Sequence, residues 1–344
     1  MRVLIVLVNW NGWRDSIECL EALRRCRGNF DVVLCDNGST DGSLEQIQAW
    51  ADSQLAADTQ GPPWAHLLAA PILRTATYRN LAKPAATADL TWLTLIPTGG
   101  NLGFAGGNNV GLRYGLEQDY DAFWLLNTDT VVEPDALEHL VARVQADPSI
   151  GLCGASVLYY ADPSKVQCFG GSEYVPRRAA GRYIGYLQPP TPAPSPAALE
   201  GKLDYIVGAS MFVTRAFVET IGLMSEDYFL YFEEMDWSAR NNGRFRVTYA
   251  PESFVYHKHG GSVGGSSARS RPSRTLIIYS GVNRIFFTRR FYKQHTLTVL
   301  AAIGLDCVKL AARGHLFSAF SLMCSALKGF SQGGGAVAAE AATQ

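Results

Sequence analysis

Short continuous apolar runs along the chain are separated by longer stretches with helical spacing. Residues 2–8 form a nearly unbroken β-branched and leucine run, the pattern of a strand buried on both faces. The run stops at Asn9-Trp10-Asn11-Gly12. A helix is expected over about residues 15–25, where Ile17, Leu20 and Leu23 share a face. A second apolar strand at 31–35 ends in Asp36-Asn37-Gly38-Ser39-Thr40-Asp41-Gly42-Ser43, and a helix follows at 44–51. Strand, helix, strand is a βαβ unit, and ligands of such units collect at the carboxyl ends of the strands. A carboxylate there, Asp36, suits a ribose or a base edge. The same polar run also suits a turn, with Asp41 or Ser43 capping the next helix.

Residues 52–90 are rich in Ala, Pro and Thr without a clear period, and are expected to be an insertion or irregular excursion before a strand at 92–96. The stretch 101–130 organises the chain. Its Gly-rich turn (101–109) is expected to lead into a helix from about Val110. The apolar run 122–126 then reads as a buried strand that ends abruptly in Asn127-Thr128-Asp129-Thr130. Asp129, past a strand end and beside a Gly-rich loop, suits a phosphate-and-metal site. It equally suits a helix cap, because Glu133-Pro134-Asp135 follow. GFAGGNN lacks the Gly-Lys-Ser/Thr of a P-loop and does not follow a strand in GxGxxG form, so neither nucleotide fingerprint applies. Downstream, 205–213 (YIVGASMFV) reads as one buried strand, 216–221 as a short helix and 245–250 as another strand. The proline-bearing segment 177–201 reads as a loop.

A second chemical centre lies at 227–240, where Glu233, Glu234 and Asp236 are embedded among aromatics. On a helix, Glu233 and Asp236 share a face and Glu234 points elsewhere. Apolar surroundings disfavour the charged form of a carboxyl and move it toward a general-base range. The same acids also suit the first turn of a helix, with Arg240 as a partner. His257 and His259, beside Gly260-Gly261, offer metal ligands or phosphate contacts, or are merely exposed. Farther on, arginines interleave with aromatics between 269 and 293, and 296–310 and 316–327 are apolar. That pattern fits either helices lying on an anionic membrane surface or ordinary packing helices. Residues 331–344 read as a disordered end.

Composition narrows the class. The 344 residues hold one large or two ordinary domains, and 47% apolar against 18% charged residues is slightly greasy for a soluble protein. A net charge of -1 supplies no basic field for nucleic acid. Seven scattered cysteines without a CxxC pair are expected to be reduced core residues. The N-terminal apolar run is too short for a signal peptide, and no uninterrupted run of the roughly 18–20 apolar residues that span a bilayer occurs. A cytoplasmic location is expected.

Taken together, the motifs resemble those of family 2 glycosyltransferases with the GT-A fold, in particular the rhamnosyltransferase-like branch. The matching stretches are VNWNG (8–12), CDNGSTDGS (35–43), NLGFAGGNN (101–109), LLNTDT (125–130), GASMFV (208–213), YFEEMDWSAR (231–240) and VYHKHGGS (255–262), in the family's order. The resemblance implies an α/β, Rossmann-like mixed sheet flanked by helices over 1–265, with a C-terminal helical extension over 266–330. It implies that Asp36 contacts the nucleobase of a nucleotide-sugar, in a pocket lined by Asn9, Asn11 and Asn37. Asn101, Gly103, Gly106, Asn108 and Asn127 are expected around the rest of that ligand. Asp129 matches the last carboxylate of the family's DxD motif, which holds Mg²⁺ or Mn²⁺, with His257 or His259 completing the metal site. Asn127 stands where the first Asp of that motif is usual. Glu234 stands in place of the family's catalytic Asp as base, with Glu233 and Asp236 as second choices. The implied reaction is inverting transfer of a sugar, foremost L-rhamnose from dTDP-rhamnose, to a hydroxyl of a glycan or lipid-linked acceptor. It would occur at the inner face of the cell membrane, in cell-surface polysaccharide synthesis. A UDP-hexose donor, or an inactive nucleotide-sugar-binding scaffold, are the alternatives.

Overall fold

A computed structural model describes residues 1–53, 74, 78–80, 92–258 and 273–342. Its strands, in chain order, are β1 (Val3–Asn9), β2 (Phe30–Asp36), β3 (Tyr78–Asn80), β4 (Leu93–Pro97), β5 (Ala122–Asn127), β6 (Thr130–Val132) and β7 (Ile150–Tyr159). There follow β8 (Asp162–Phe169), β9 (Gly171–Val175), β10 (Ala180–Tyr183), β11 (Tyr205–Ile206), β12 (Ser210–Thr214) and β13 (Arg246–His257). The main sheet runs β3-β4-β2-β1-β5-β12-β7-β13-β6, with β8 added to β7, and β10-β9-β11 form a small second sheet.

The continuous apolar runs become the inner strands because a strand flanked on both sides and covered on both faces has no wet side. Val3 to Leu7 are all fully buried. β1 pairs in parallel with β2 and β5, in registers that bring Asn9 opposite Asp36 and Val8 opposite Asn127. From β1 the chain moves outward through β2 to β4, then crosses back to place β5 on the other side of β1. That reversal of order opens a crevice beyond the carboxyl ends of β1 and β5, where an open α/β sheet takes its ligand. Beyond β5 the sheet turns mixed: β12 is antiparallel to both β5 and β7, and β13 is parallel to β7.

The Gly-rich stretch departs from expectation. All but its first two residues belong to a helix, Gly103–Leu116, which begins well before Val110. Its glycines at four-residue spacing make a flat stripe laid on the sheet. A Cβ on Gly107 would meet Val8 at 2.7 Å, one on Gly111 would meet Val6 at 2.4 Å, and one on Gly115 would meet Leu4 at 2.6 Å. Close helix–sheet packing explains these glycines.

Other boundaries also shift. Residues 205–213 are two strands, because β11 leaves to pair with β9 while β12 stays in the main sheet. Residues 245–250 belong to one long strand, β13, that continues to His257 through a register shift. The stretch read as an irregular insertion returns an edge strand, β3, parallel to β4; most of the rest of it lies outside the described residues. β10 forms within the segment read as a loop. All seven cysteines are free. Burial pushes the Cys19, Cys26, Cys35 and Cys153 thiols up to about 12, as befits core residues.

The C-terminal region is helical: Arg274–Phe291, Thr296–Ala312, Leu316–Lys328 and Gly334–Ala342. The last of these corrects the expectation of a disordered end. The aromatic face of Arg274–Phe291 is turned inward, where Ile277, Ile285 and Phe287 join a core with Tyr228 and Phe232. Arg284 is buried as well, on Asp306 at 3.0 Å, so this helix does not present its arginine–aromatic pattern to a membrane. The stretch Lys293–Ala312 is 20 residues of helix whose most apolar 18 residues have mean hydropathy 1.4 and little burial, long and apolar enough to cross a membrane by length and composition. The count of uninterrupted apolar residues overlooks it because Asp306 and Lys309 fall inside it.

Candidate active site

Asn9, at the end of β1, is fully buried and spends its amide on both sides of the crevice. Nδ2 donates to Asp36 Oδ1 at 2.8 Å and to Ser39 Oγ at 3.0 Å, while Oδ1 accepts from Ser16 Oγ at 2.8 Å. The second Asp36 oxygen takes the Ser39 amide at 3.2 Å. Asn11, at φ 52°, receives the Thr40 amide on its side-chain oxygen at 2.7 Å and gives its own amide to Ser39. Asn9, Asn11 and Asp36 thus lock the β1 and β2 ends into one polar wall.

Asn37 is a hub. Nδ2 reaches Asn101 Oδ1 and the Gly103 carbonyl, both at 3.1 Å, and Oδ1 accepts the Leu102 amide at 3.0 Å. These bonds fix the entry to the Gly-rich helix. Gly103 sits at φ 72°, and a Cβ there would lie 2.2 Å from the Phe229 carbonyl oxygen. Gly106 faces Leu102, and the Asn108 amide bonds back to the Phe104 carbonyl at 2.9 Å. Gly103, Gly106 and Asn108 therefore serve helix entry and packing, which accounts for them without a ligand.

Asp129 lies just past β5 and faces His257 at the end of β13, Oδ1 to Nε2 at 3.2 Å. The two strand ends are held together by the Lys258 amide donating to the Asp129 carbonyl at 3.0 Å. His257 Nδ1 is 2.8 Å from Gln167 Oε1. With Nδ1 donating to that oxygen, Nε2 faces Asp129 either through a shared proton or, in the neutral ring, with a lone pair free for a metal. An imidazole nitrogen and a carboxylate oxygen 3.2 Å apart share a proton or fit a divalent metal as two of its donors. Among the described residues no cluster of three His, Cys, Asp or Glu side chains occurs. His259 lies outside the described residues. Asn127 has an amide oxygen where a carboxylate would bind a cation more strongly.

The acidic helix is Glu233–Asn241, and its three acids have separate fates. Asp236 is fully buried and held by Arg240 at 2.5 Å and Arg290 at 3.4 Å, which makes it a structural anchor and removes it as a base. Glu233 is also buried, with Oε2 lacking a hydrogen-bond partner. Burial, and secondarily the neighbouring Glu234 charge, hold its carboxyl well above the usual range. Glu234 is half-buried, with Oε1 accepting the Gly208 amide at 3.2 Å. Burial raises its pKa too. A Cβ on Gly208 would come within 2.7 Å of that same oxygen and 2.9 Å of the Phe104 ring, so only glycine admits this carboxyl. The carbonyl of Ala209, next along, accepts the Asn127 amide at 3.1 Å. One backbone bond therefore separates the seat of Glu234 from the strand end leading to Asp129.

Sequence reasoning missed Gln167, which orients His257, and Gly208 as the seat of Glu234. It also missed Lys258, whose ammonium is clamped by Asp15 and Glu18 beside the metal-fitting pair. Only the GASMFV stretch carried a signal, through its small residues.

No family model matches the chain. The low-salt glycan biosynthesis hexosyltransferase Agl10 of Haloferax volcanii is 26% identical over 152 residues, 42% of this chain and 45% of that protein, so the chain matches less than half of this relative's length. Among solved structures, the mannosyltransferase PcManGT of Pyrobaculum calidifontis, in complex with GDP-Man and Mn2+, aligns over 96% of this chain and 87% of its own at TM-score 0.51 and 16% identity. GalNAc-T7 with UDP, GalNAc and Mn2+ aligns over 96% of this chain and 55% of its own at TM-score 0.56 and 12% identity. At these identities the likeness is one of fold. The mixed sheet flanked by helices is the GT-A glycosyltransferase fold.

Proposed function

We propose that this chain is an inverting glycosyltransferase that moves a hexose from a nucleoside-diphosphate donor to a hydroxyl of a glycan or lipid-linked acceptor. The observation that carries the reading is the meeting, at one end of the sheet, of the Asp129–His257 pair with a carboxyl of raised pKa, Glu234, through the Asn127–Ala209 backbone bond. A hexosyltransferase of glycan biosynthesis as partial relative, and neighbours of the same fold solved with GDP-Man or UDP and Mn2+, support it.

The chemistry follows from charge. Asn9, Asn11 and Asp36 form the polar wall that receives the nucleoside, so the diphosphate extends toward Asp129. Asp129 and His257 would hold Mg²⁺ or Mn²⁺, which would supply positive charge to offset that building on the leaving diphosphate. Glu234, half-shielded by Phe104 and oriented by the Gly208 amide, takes the proton of the acceptor hydroxyl as that oxygen attacks C1 from the opposite face. Glu233 stays buried behind it and disfavours the charged pair.

Within this class, dTDP-L-rhamnose is the donor we favour on the motif resemblance, with a UDP-hexose second. Helices Thr296–Ala312 and Leu316–Lys328 leave Leu297 80%, Phe317 60% and Phe320 69% exposed. Arg313, Lys309 and Lys328 lie on the same two helices or the turn between them. We take this hairpin to rest on the anionic inner face of the cell membrane, where a lipid-linked acceptor would be found. The test of the class is a panel of dTDP-, UDP- and GDP-sugars incubated with Mg²⁺ and membrane extract. Sugar transfer from one donor, abolished by chelation, is expected. Binding of every nucleotide with transfer from none, given a competent acceptor, would favour the scaffold.

A further inference from the structure

We propose that Asn283, on the C-terminal helix Arg274–Phe291, is a positioning residue for the acidic helix, and that Gly334 at the far end of the chain fixes it in that role. The proposal rests on the reading of Glu234 as base and adds a part of the machinery that no motif contains.

The turn before Glu233 is strained. Tyr231 and Phe232 both have positive φ, 69° and 80°, a region that bulky side chains avoid and that persists only where the surroundings over-determine it. The surroundings here are specific. The carbonyl of Phe229 accepts the Phe104 amide at 2.9 Å. The carbonyls of Leu230 and Tyr231 both accept from Asn283 Nδ2, each at 3.0 Å. Three successive carbonyls outside regular structure are thereby occupied, two of them by one side chain.

Asn283 is fully buried and has a single workable orientation. Its two N–H groups face the two carbonyls, and its oxygen accepts the Gly334 amide at 2.8 Å. An aspartate would set a carboxylate against two carbonyl oxygens, and an apolar residue would leave both carbonyls orphaned. The rest of the helix face matches the motif residue by residue. Tyr279 stacks on Phe229 with centroids 5.0 Å apart, Phe286 meets Tyr228 at 5.5 Å, and Phe287 meets Phe232 at 5.5 Å. Arg290 reaches Asp236. Positions 279, 283, 286, 287 and 290 form one helical stripe.

The glycines of the terminal segment close the arrangement from behind. The Gly335 amide donates to the Asp227 carbonyl at 2.8 Å. A Cβ on Gly333 or Gly335 would lie 2.4 Å from the Asp227 carbonyl oxygen or 2.2 Å from that of Glu226. The C-terminal extension is therefore the clamp that holds the left-handed turn and, through it, aims Glu234 at the Gly208 amide.

Aromatic packing alone would keep the helix docked. The amide contributes the direction of the turn, so its loss should alter the base more than the fold. The test uses the full chain carrying Asn283→Asp, and separately Gly334→Pro, which removes the amide proton and sets a ring against Asn283, where even a Cβ would lie 2.8 Å from Oδ1. Asn283→Asp is expected to lower kcat at least tenfold while the nucleotide Kd stays within twofold. The acidic limb of its kcat profile is expected to move, because a loosened turn changes the burial that raises the Glu234 pKa and the new carboxyl adds charge beside it. Gly334→Pro should do the same. Amide hydrogen exchange over residues 229–236 should quicken in both variants. An unchanged kcat and pH profile, with or without a lower Tm, would reduce Asn283 to a packing residue and overturn the proposal. If the wild type transfers sugar from no donor, the glycosyltransferase reading itself has failed. Exchange then decides the clamp alone: local quickening at 229–236 supports it, and unchanged protection overturns it.

Discussion

Glu233 and Glu234 are adjacent in sequence yet play different parts, and the difference is one of surroundings. Glu234 has a backbone donor and a partly open side; Glu233 has neither an opening nor a partner for Oε2. A carboxyl whose pKa is raised by folding binds its proton more tightly in the native state than in the unfolded chain. Its contribution to stability is therefore fully present below the unfolded value, about 4.3, and is lost as pH rises through the folded pKa. Glu233→Gln removes that loss. Thermal unfolding of the variant is expected at higher temperature than the wild type at pH 7, with the gap closing as pH falls toward 4. A lower Tm at pH 7 would mean that the charged form is stabilised by contacts other than those described. At this scale the sequence located Asp36 and Asp129 at strand ends, where the structure has them. It was silent on Gln167, Gly208 and Asn283, because the partners that define their roles lie far away along the chain, in His257, Glu234 and the turn at Leu230 and Tyr231.

Elements whose pattern has a single physical solution came out as expected. The run 2–8 could only be an inner strand, and 15–25 only a helix, which spans Trp13–Leu23 with its second half buried all round rather than on the one face expected. The Gly-rich stretch was misjudged because Gly107 and Gly111 were weighed by turn propensity, whereas contact with Val8 and Val6 demands small residues on a helix; Gly103 does take a left-handed φ, at the helix entry. The strand 205–213 was taken as continuous because its apolar content does not reveal that Gly208 is the break between two sheets. In the tail, the arginine–aromatic helix packs inward, and the next two helices carry the exposed apolar side chains. Burying one Phe is worth roughly 1.5–3 kcal/mol. Phe317→Glu with Phe320→Glu is thus expected to weaken binding to vesicles containing anionic lipid at least tenfold, with transfer to a soluble acceptor preserved. Sedimentation with vesicles reads this out. A wild type that stays in the supernatant would refute the membrane contact.

Across the whole molecule, motifs scattered along most of the chain converge on one end of one sheet, because the crossing from β4 back to β5 brings the ends of β1, β2 and β5 together. Their order in the chain made the GT-A fold legible before any coordinates. The dependence of the acidic helix on the C-terminal extension was not legible, since nothing local marks a helix face as the mate of a turn much earlier in the chain. Glu234 is the residue on which the proposed chemistry turns. The most direct measurement is sugar transfer by the wild type and by Glu234→Gln, with the preferred donor, Mg²⁺ and a membrane-extract acceptor, alongside nucleotide affinity for both proteins. A general base is worth about 10²–10⁴-fold, so the variant should lose transfer by that factor while binding nucleotide as tightly as the wild type. Wild-type transfer rates in Glu234→Gln would contradict the assignment and move the base to another group.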